Sequence, residues 1–165
     1  LVRLPLVGKA DMDSDVVKNA PHNAIFDDPG MFPDFINAYL SPETDQHLAD
    51  CINASALVIT WASTMIIDAA VFNKPVILLG FDASPRPYHQ SVAQYYDYDH
   101  HKFVMQSGGV RLVKSPKELV ERTEEYLRDP GRDEKGRAKI LRHYCGELDH
   151  KAGERLADYF LSKLD

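Results

Sequence analysis

The sequence has little of what marks disulfide-stabilised or membrane-spanning proteins. Its 165 residues include only two cysteines, Cys51 and Cys145, which are far apart and lack the CxxC spacing. A disulfide framework is therefore not indicated, and a reduced, cytosolic protein is the simplest interpretation. No apolar run approaches the roughly 18 residues that a membrane-spanning helix requires.

Positive charge is scarce as well. Lysine and arginine total 19 against 25 aspartate and glutamate residues, which gives a net charge of −6. The chain as a whole therefore gives no electrostatic support to nucleic-acid binding. Its length and its hydrophobic fraction of 44% suit one globular domain with a real core. Because the chain begins with Leu1 in a strand-like run rather than with Met, we expect residues 1–165 to be a single domain of a longer, two-domain protein.

Short apolar runs alternate with helical patterns along the chain. Strands are expected at 1–8, 24–30, 56–60 and 75–81, and helices at 41–55, 63–73, 91–96 and 115–128, with two more in the tail from residue 131. Residues 102–105 and 110–113 are expected to form two short strands around a hairpin turn, QSGG. This order predicts an α/β fold with a Rossmann-like parallel sheet and helices on both faces.

A polar triplet, Ala62-Ser63-Thr64, follows one buried strand and opens a helix. Ligands of parallel α/β sheets bind outside the carboxyl ends of the strands, so the triplet lies on the binding edge. The N–H groups at the helix start and the hydroxyls of Ser63 and Thr64 are suited to phosphate oxygens. Asp68, one turn further on, is placed to accept hydrogen bonds from a ribose. The alternative is that the hydroxyls only cap the helix and that Asp68 is a solvated carboxylate.

The segment 86–103 is a second candidate region, rich in histidine and tyrosine. His100 and His101 are candidates for contacts to a donor phosphate or for an acid/base role, since histidine titrates near neutrality. Arg86 is a candidate for a phosphate contact. Two alternatives are a solvated loop with one histidine packed on a tyrosine, and a metal site. The metal site would use His89, Asp97, Asp99, His100 and His101, whose spacing is not diagnostic.

The stretch ADCINASALVITWASTMIIDAAVFNKPVILLGF resembles the donor-binding region of GT-B-type transferases, nearest to the CDP-glycerol glycerophosphotransferase and surface-polysaccharide branch. There, an Ala-Asp helix leads to a strand, a Ser-Ser or Ser-Thr turn, a helix with an acidic residue, and Lys-Pro-Val-Ile. The resemblance implies that Ser63 and Thr64 bind the donor and that Asp68 takes the place of a ribose-contacting glutamate. The sequence departs from the family at Trp61, where Asp or Tyr is common, and in RLPLVG, which lacks a His-Pro pair.

The resemblance implies a transferase that moves a sugar or glycerol phosphate from a CDP- or UDP-linked donor, in surface polysaccharide or teichoic-acid-like synthesis. The donor is a substrate, and no covalently bound cofactor and no metal are expected. The N-terminal domain of a GT-B enzyme would be missing, so this chain alone is expected to be inactive, and its catalytic base is unassigned. The resemblance further implies a cytoplasmic protein at the inner face of the membrane, with peripheral contact through the full-length protein.

Two other functions remain open from the sequence. A UDP-GlcNAc 2-epimerase has the same layout, with a Ser-Gly-Gly turn before the helix and Lys-Pro-Val after it. A receiver-like signalling domain without catalysis is suggested by Asp27-Asp28, Thr60 and Lys74-Pro75. A receiver also needs a phospho-accepting aspartate at a strand end between the acidic pair and Thr60, and the sequence has none there.

Overall fold

The computed structural model describes residues 1–3, 15–27 and 41–164, and the chain divides into two compact units, Leu1–Ala49 and Asp50–Asp165. In the first unit, strand β1 (Val2–Arg3) pairs in parallel with strand β2 (Phe26–Asp27), and helix α1 is Asp15–Lys18. The rest of the strands predicted at 4–8 and 28–30 lies outside the described residues. The prediction of a single domain stays a prediction.

The second unit is built on a parallel three-stranded sheet. Its strands are β3 (Val58–Thr60), β4 (Val76–Leu79) and β5 (Val110–Val113), in the spatial order β3-β4-β5. Val58 pairs with Val76, and Val76 pairs with Val110. Residues 57–61 and 75–80 are predicted to be adjacent, parallel and central strands, and their adjacent parallel pairing is confirmed. Only β4 is central among the described strands of this sheet, while β3 lies at its edge.

Helices account for most of the remaining described chain. They are α2 (Pro42–Ala54), α3 (Met65–Val71), α4 (Asp99–Ser107), α5 (Pro116–Arg128), α6 (Glu134–Cys145) and α7 (Ala152–Leu161). Helix α5 begins with a capping box, in which the side chains of Ser115 and Glu118 each accept a hydrogen bond from a backbone N–H at the helix start. Ser115 Oγ accepts a hydrogen bond from the Glu118 N–H at 3.2 Å, and the Glu118 carboxylate accepts one from the Lys114 N–H at 2.7 Å. None of the described helices is long and apolar enough to cross a membrane.

Apolar side chains cover both faces of the sheet. On one face, Val76 and Leu78 of β4 pack with Ile66 of α3, Val104 of α4 and Ile140 of α6. On the other face, a second cluster joins strand residues to α5: Ile77, Val113, Tyr126 and the partly buried Leu119. Successive residues of β4 therefore point to opposite, buried faces. The predicted Rossmann-like fold, with helices on both sides of a parallel sheet, is confirmed.

The predicted hairpin at 102–113 is wrong. Residues 102–105 belong to α4, and residues 110–113 form β5, which is parallel to β4. The glycines of QSGG end a helix: Gly108 has φ of +76° in the left-handed region, and the Ser107 hydroxyl accepts a hydrogen bond from the Gly109 N–H at 3.0 Å. A left-handed glycine directly after the last helical residue is a common helix terminus.

Helix α6 lies with its backbone against this turn. A Cβ built on Gly136 would lie 2.2 Å from both the Gly108 carbonyl carbon and the Gly109 nitrogen, and a Cβ on Gly109 would lie 2.5 Å from the backbone of α6. Neither glycine can therefore carry a side chain without a shift of the main chain. One residue further on, the Arg137 side chain is buried, and its guanidinium donates to Asn73 Oδ1 and to two backbone carbonyl oxygens.

We predict that Gly136→Ala destabilises the protein by about 2 kcal/mol or more, because overpacking against fixed backbone typically costs roughly 1–3 kcal/mol. The matched control is Gly153→Ala in α7, where a Cβ would meet no atom within 4 Å. That substitution should leave the stability unchanged or raise it by up to about 1 kcal/mol, because alanine favours helix. Denaturant unfolding of both variants measures the difference. Equal stabilities would contradict the close contact of α6.

Candidate functional site

The Ala62–Thr64 turn joins the carboxyl end of β3 to α3. Ser63 Oγ accepts a hydrogen bond from the Met65 N–H at 3.2 Å. The next two N–H groups, of Ile66 and Ile67, donate to the carbonyl oxygens of Ser63 and Thr64 at 3.2 and 2.8 Å. These three N–H groups therefore have acceptors within the turn, which differs from the open helix start that the sequence indicated. Thr64 stands at the N-cap position but makes no capping bond with its side chain.

Ser63, Thr64, His100 and His101 line one cavity of about 110 Å³. The histidine pair therefore borders the same space as Ser63, whereas the roles predicted for these residues stay predictions. The hydroxyls come from the turn before α3, and the histidines come from the first turn of α4. The rest of the lining is mostly apolar: Ile66, Ile67, Val104 and Tyr144. Four polar residues thus border the cavity, but its wall is almost wholly apolar, and a ligand as large as a nucleotide would extend beyond it onto the rim.

The two histidines are held by aromatic neighbours. Their rings lie 4.2 Å apart between centroids, and the His101 ring lies 6.5 Å from that of Tyr96. The Tyr144 hydroxyl of α6 donates a hydrogen bond to the His100 carbonyl oxygen at 2.8 Å. Helix α6 therefore fixes the backbone of α4 at the position from which both imidazoles reach the cavity.

The environment of His101 favours its neutral form. Burial lowers the pKa of His101, and the neighbouring His100 lowers the same pKa further, because a charged imidazole is poorly solvated there and repelled by a second one. At neutral pH the ring is therefore uncharged. A neutral imidazole can donate a hydrogen bond from one nitrogen and accept a proton on the other.

Asp68 and Arg86 lie away from the cavity lining. Asp68 is exposed in the first turn of α3, where a carboxylate is also favoured by the helix dipole. Arg86 is exposed in the loop after β4. Its charge helps to lower the pKa of Asp82, although the hydrogen bond from Ser91 is the larger cause. The structure therefore brings together four of the six predicted site residues.

The loop between β4 and α4 contains two residues that the sequence analysis missed. Asp82 accepts hydrogen bonds from the Ser91 hydroxyl at 2.6 Å and from the Val92 N–H at 3.1 Å. The Tyr96 hydroxyl donates to the Leu79 carbonyl oxygen at 2.6 Å, and burial raises the pKa of Tyr96 to about 12. No spacing rule connects these partners, although a short helix at 91–96 was expected and a 3₁₀ helix at Val92–Asp97 is present.

The acidic residues of the proposed metal alternative have other partners in this loop. Asp97 accepts a hydrogen bond from the Tyr88 hydroxyl. Asp99 forms an ion pair with Lys102, in which Nζ lies 2.6 Å from the carboxylate. Each carboxylate therefore has a hydrogen-bonding or ion-pair partner within this segment.

The comparisons with known proteins gave one result. Residues 34–162 match the family model described as CDP-Glycerol:Poly(glycerophosphate) glycerophosphotransferase. No curated protein and no solved structure matches the chain. The matched region includes all of the second unit from β3 to α7, and with it every residue of the cavity. Because the match covers most of the sequence, the chain belongs to the CDP-glycerol:poly(glycerophosphate) glycerophosphotransferase family, whose members are transferases of the glycerophosphotransferase kind.

Proposed function

We propose that the cavity and its rim bind a nucleotide-activated donor, CDP-glycerol, with Ser63 and Thr64 contacting the diphosphate. The observation that supports this most is that two hydroxyl-bearing residues and two histidines line one cavity just beyond the carboxyl end of β3. Such edges are where parallel α/β sheets bind ligands. The family also implies a nucleotide-linked donor of this class.

The chemistry of the lining residues suits this ligand. Hydroxyl groups donate to phosphate oxygens with charge-assisted hydrogen bonds. The Thr64 hydroxyl is not used to cap α3, whereas the Ser63 oxygen already accepts a hydrogen bond from the Met65 N–H. We therefore assign the stronger contact to Thr64. His100 and His101 border the same space and are placed to meet the phosphate oxygens or the transferred group.

The reaction class follows from the donor. In glycerophosphate transfer, an acceptor hydroxyl attacks the phosphorus that bears the glycerol, a new O–P bond forms, and the P–O bond to the cytidylate breaks. The cytidylate leaves with the bonding electrons, and the acceptor proton passes to a base. We propose a GT-B arrangement, in which a second domain completes the cleft and supplies this base. The present chain alone would then bind the donor without turnover.

The wider role belongs to the same proposal. A CDP-glycerol donor fits synthesis of a teichoic-acid-like or related surface polymer, in the cytoplasm at the inner face of the membrane.

A UDP-linked sugar is the alternative donor for the same cavity. Titration calorimetry separates these two donors. It measures the affinity of the protein for CDP-glycerol, CDP, UDP, ADP and GDP. A preference for the cytidine nucleotides supports the assignment, and equal or absent binding of all five contradicts it.

We predict that Thr64→Val weakens CDP-glycerol binding by about ten- to a hundredfold, because one charge-assisted hydrogen bond contributes roughly 1.5–3 kcal/mol. Valine keeps the branched shape and removes only the hydroxyl. The matched control is Thr123→Val in α5, which removes a hydroxyl that donates to the Leu119 carbonyl oxygen. The control should bind as the parent does. Calorimetry that finds equal affinities for Thr64→Val and the parent would refute the phosphate contact.

Asp68 is proposed to accept hydrogen bonds from the ribose hydroxyls outside the cavity. Asp68→Ala should then weaken CDP-glycerol binding by about ten- to a hundredfold, with the fold intact. Asp158→Ala, which removes an exposed carboxylate from α7, is the control and should have no effect. If both variants bind equally well, Asp68 is a surface residue of the helix and the ribose assignment is lost.

The lowered pKa of His101 predicts how binding depends on pH. In the free protein the ring is neutral at pH 7, while a bound phosphate favours the imidazolium and raises the pKa in the complex. Binding then takes up a proton, so affinity for CDP-glycerol should increase as the pH falls from about 7.5 toward and below the ordinary histidine value of about 6.5. The phosphates of this donor do not titrate in that range.

Calorimetry across this pH range tests the assignment. His101→Gln should remove the pH dependence, whereas His22→Gln, an exposed histidine in the first unit, should keep it. A pH dependence that persists unchanged in His101→Gln would show that another group takes up the proton.

A further inference from the structure

Tyr144 joins the end of α6 to the start of α4. Its hydroxyl donates a hydrogen bond to the His100 carbonyl oxygen at 2.8 Å, although the two residues are 44 positions apart in the chain. Tyr144 also lines the cavity, together with Ser63, Thr64 and the histidine pair. One side chain of α6 therefore borders the cavity and holds the backbone from which His100 projects.

Helix α6 presents this hydroxyl from a fixed position. Its Gly136 lies against the turn that ends α4, and Tyr144 follows about two helical turns later. The Tyr144 ring meets Phe103 of α4 edge-on, with 6.0 Å between the ring centroids. Phe103 is in turn stacked on His143, at 3.8 Å. Ring contacts and the hydroxyl bond therefore hold Tyr144 against α4.

The hydroxyl bond acts on the peptide unit that joins the two histidines. The His100 carbonyl belongs to the planar group whose ends are the Cα atoms of His100 and His101. A bond to the oxygen of this group restricts its rotation, and the directions of both Cα–Cβ bonds depend on that rotation. The same bond therefore influences the placement of both imidazoles, whose rings lie 4.2 Å apart between centroids.

We propose that Tyr144 is a positioning residue for donor binding, whose hydroxyl holds the His100–His101 peptide so that the imidazoles meet the donor's phosphates. This inference rests on the proposed function of the cavity. Hydrogen bonds to phosphate are strong only at correct distances and angles, and a site keeps them only when its supporting groups are rigid. Without the Tyr144 hydroxyl, the donor would keep its contacts to Ser63 and Thr64 and lose much of the contribution of the histidines.

The first test is Tyr144→Phe, which keeps the ring and the cavity wall and removes only the hydroxyl. At about pH 6, where histidine takes up a proton, affinity for CDP-glycerol should fall by about three- to tenfold. At about pH 8, where both imidazoles are neutral, the loss should be clearly smaller. Calorimetry at the two pH values measures both losses. Equal affinities for the variant and the parent, or the same loss at both pH values, would overturn the inference.

The matched control is Tyr88→Phe, which removes a tyrosine hydroxyl from the loop before α4, where it donates to Asp97. This variant should bind CDP-glycerol as the parent does at both pH values. If it loses as much affinity as Tyr144→Phe, the effect is a general loosening of the region, and the positioning role of Tyr144 is refuted.

Two further variants identify the group through which Tyr144 acts. The titratable neighbours of the histidine pair include Tyr96 of the loop, and His143 of α6 is stacked nearby on Phe103. Tyr144→Phe should add little in the His101→Gln background, because both changes act on the same contact. In the His143→Gln background its full effect should remain. Additivity with His101→Gln, or loss of the effect with His143→Gln, would contradict the proposal.

The result for the parent protein separates this inference from the proposed function. If the parent binds CDP-glycerol and Tyr144→Phe binds it equally well, the positioning role fails and the proposed function stands. If the parent binds none of the nucleotides, the proposed function fails, and the role of Tyr144 in donor binding fails with it.

Discussion

The contact between the backbone of α6 and the turn after α4 is the constraint on which the second unit depends. Gly136 lies so close to Gly108 and Gly109 that a Cβ on Gly136 or on Gly109 would overlap main-chain atoms. Arg137 adds a buried guanidinium, and among the described residues no buried side-chain nitrogen or oxygen lacks a partner. A buried charge of this kind is tolerated only because its donors are used, here by Asn73 and two carbonyl oxygens.

The candidate site inherits its geometry from that contact. Helix α6 begins beside the end of α4 and, at its other end, reaches the start of α4, where Tyr144 donates to the His100 carbonyl oxygen. Helix α4 is therefore held by α6 at both of its ends. The histidines of its first turn are fixed relative to the sheet, and Ser63 at the end of β3 is fixed by the sheet itself. The cavity between these elements is therefore held open by the packing of the sheet, α4 and α6. It does not require a hydrogen bond between the hydroxyls and the imidazoles.

The contrast between the predicted and the missed features has a physical reason. The strands β3 and β4 and the start of α5 at Ser115 depend on patterns within a few residues, and they agree with the strands expected at 56–60 and 75–81 and the helix expected at 115–128. The segment 102–105 is a short apolar run, which cannot be assigned to helix or strand by its period alone, and the glycines after it suit a hairpin as well as a helix end. The deciding interaction is the approach of Gly136, 27 or more residues later.

The same reasoning applies to the candidate site. Ser63 and Thr64 could be found because they follow a strand of a parallel sheet, where ligands bind, and the histidine pair because histidine titrates near neutrality. Tyr96 could not, because its partner Leu79 is 17 residues away and on another element. Asp68 and Arg86 are not part of the cavity lining, so they would contact only the part of a ligand that extends beyond the cavity. Local sequence does not indicate the direction of that extension.

The composition of the cavity explains why positioning should matter so much here. No lysine or arginine lines it among the described residues, the half-buried His101 is neutral at pH 7, and the whole chain carries a charge of −6. A phosphate-bearing donor therefore gains little from long-range attraction. Its binding must come from short hydrogen bonds, which are strong only at correct distances and angles. A site of this kind depends on the elements that hold its hydrogen-bonding groups still, here the end of β3 for the two hydroxyls and, through Tyr144, α6 for the histidines.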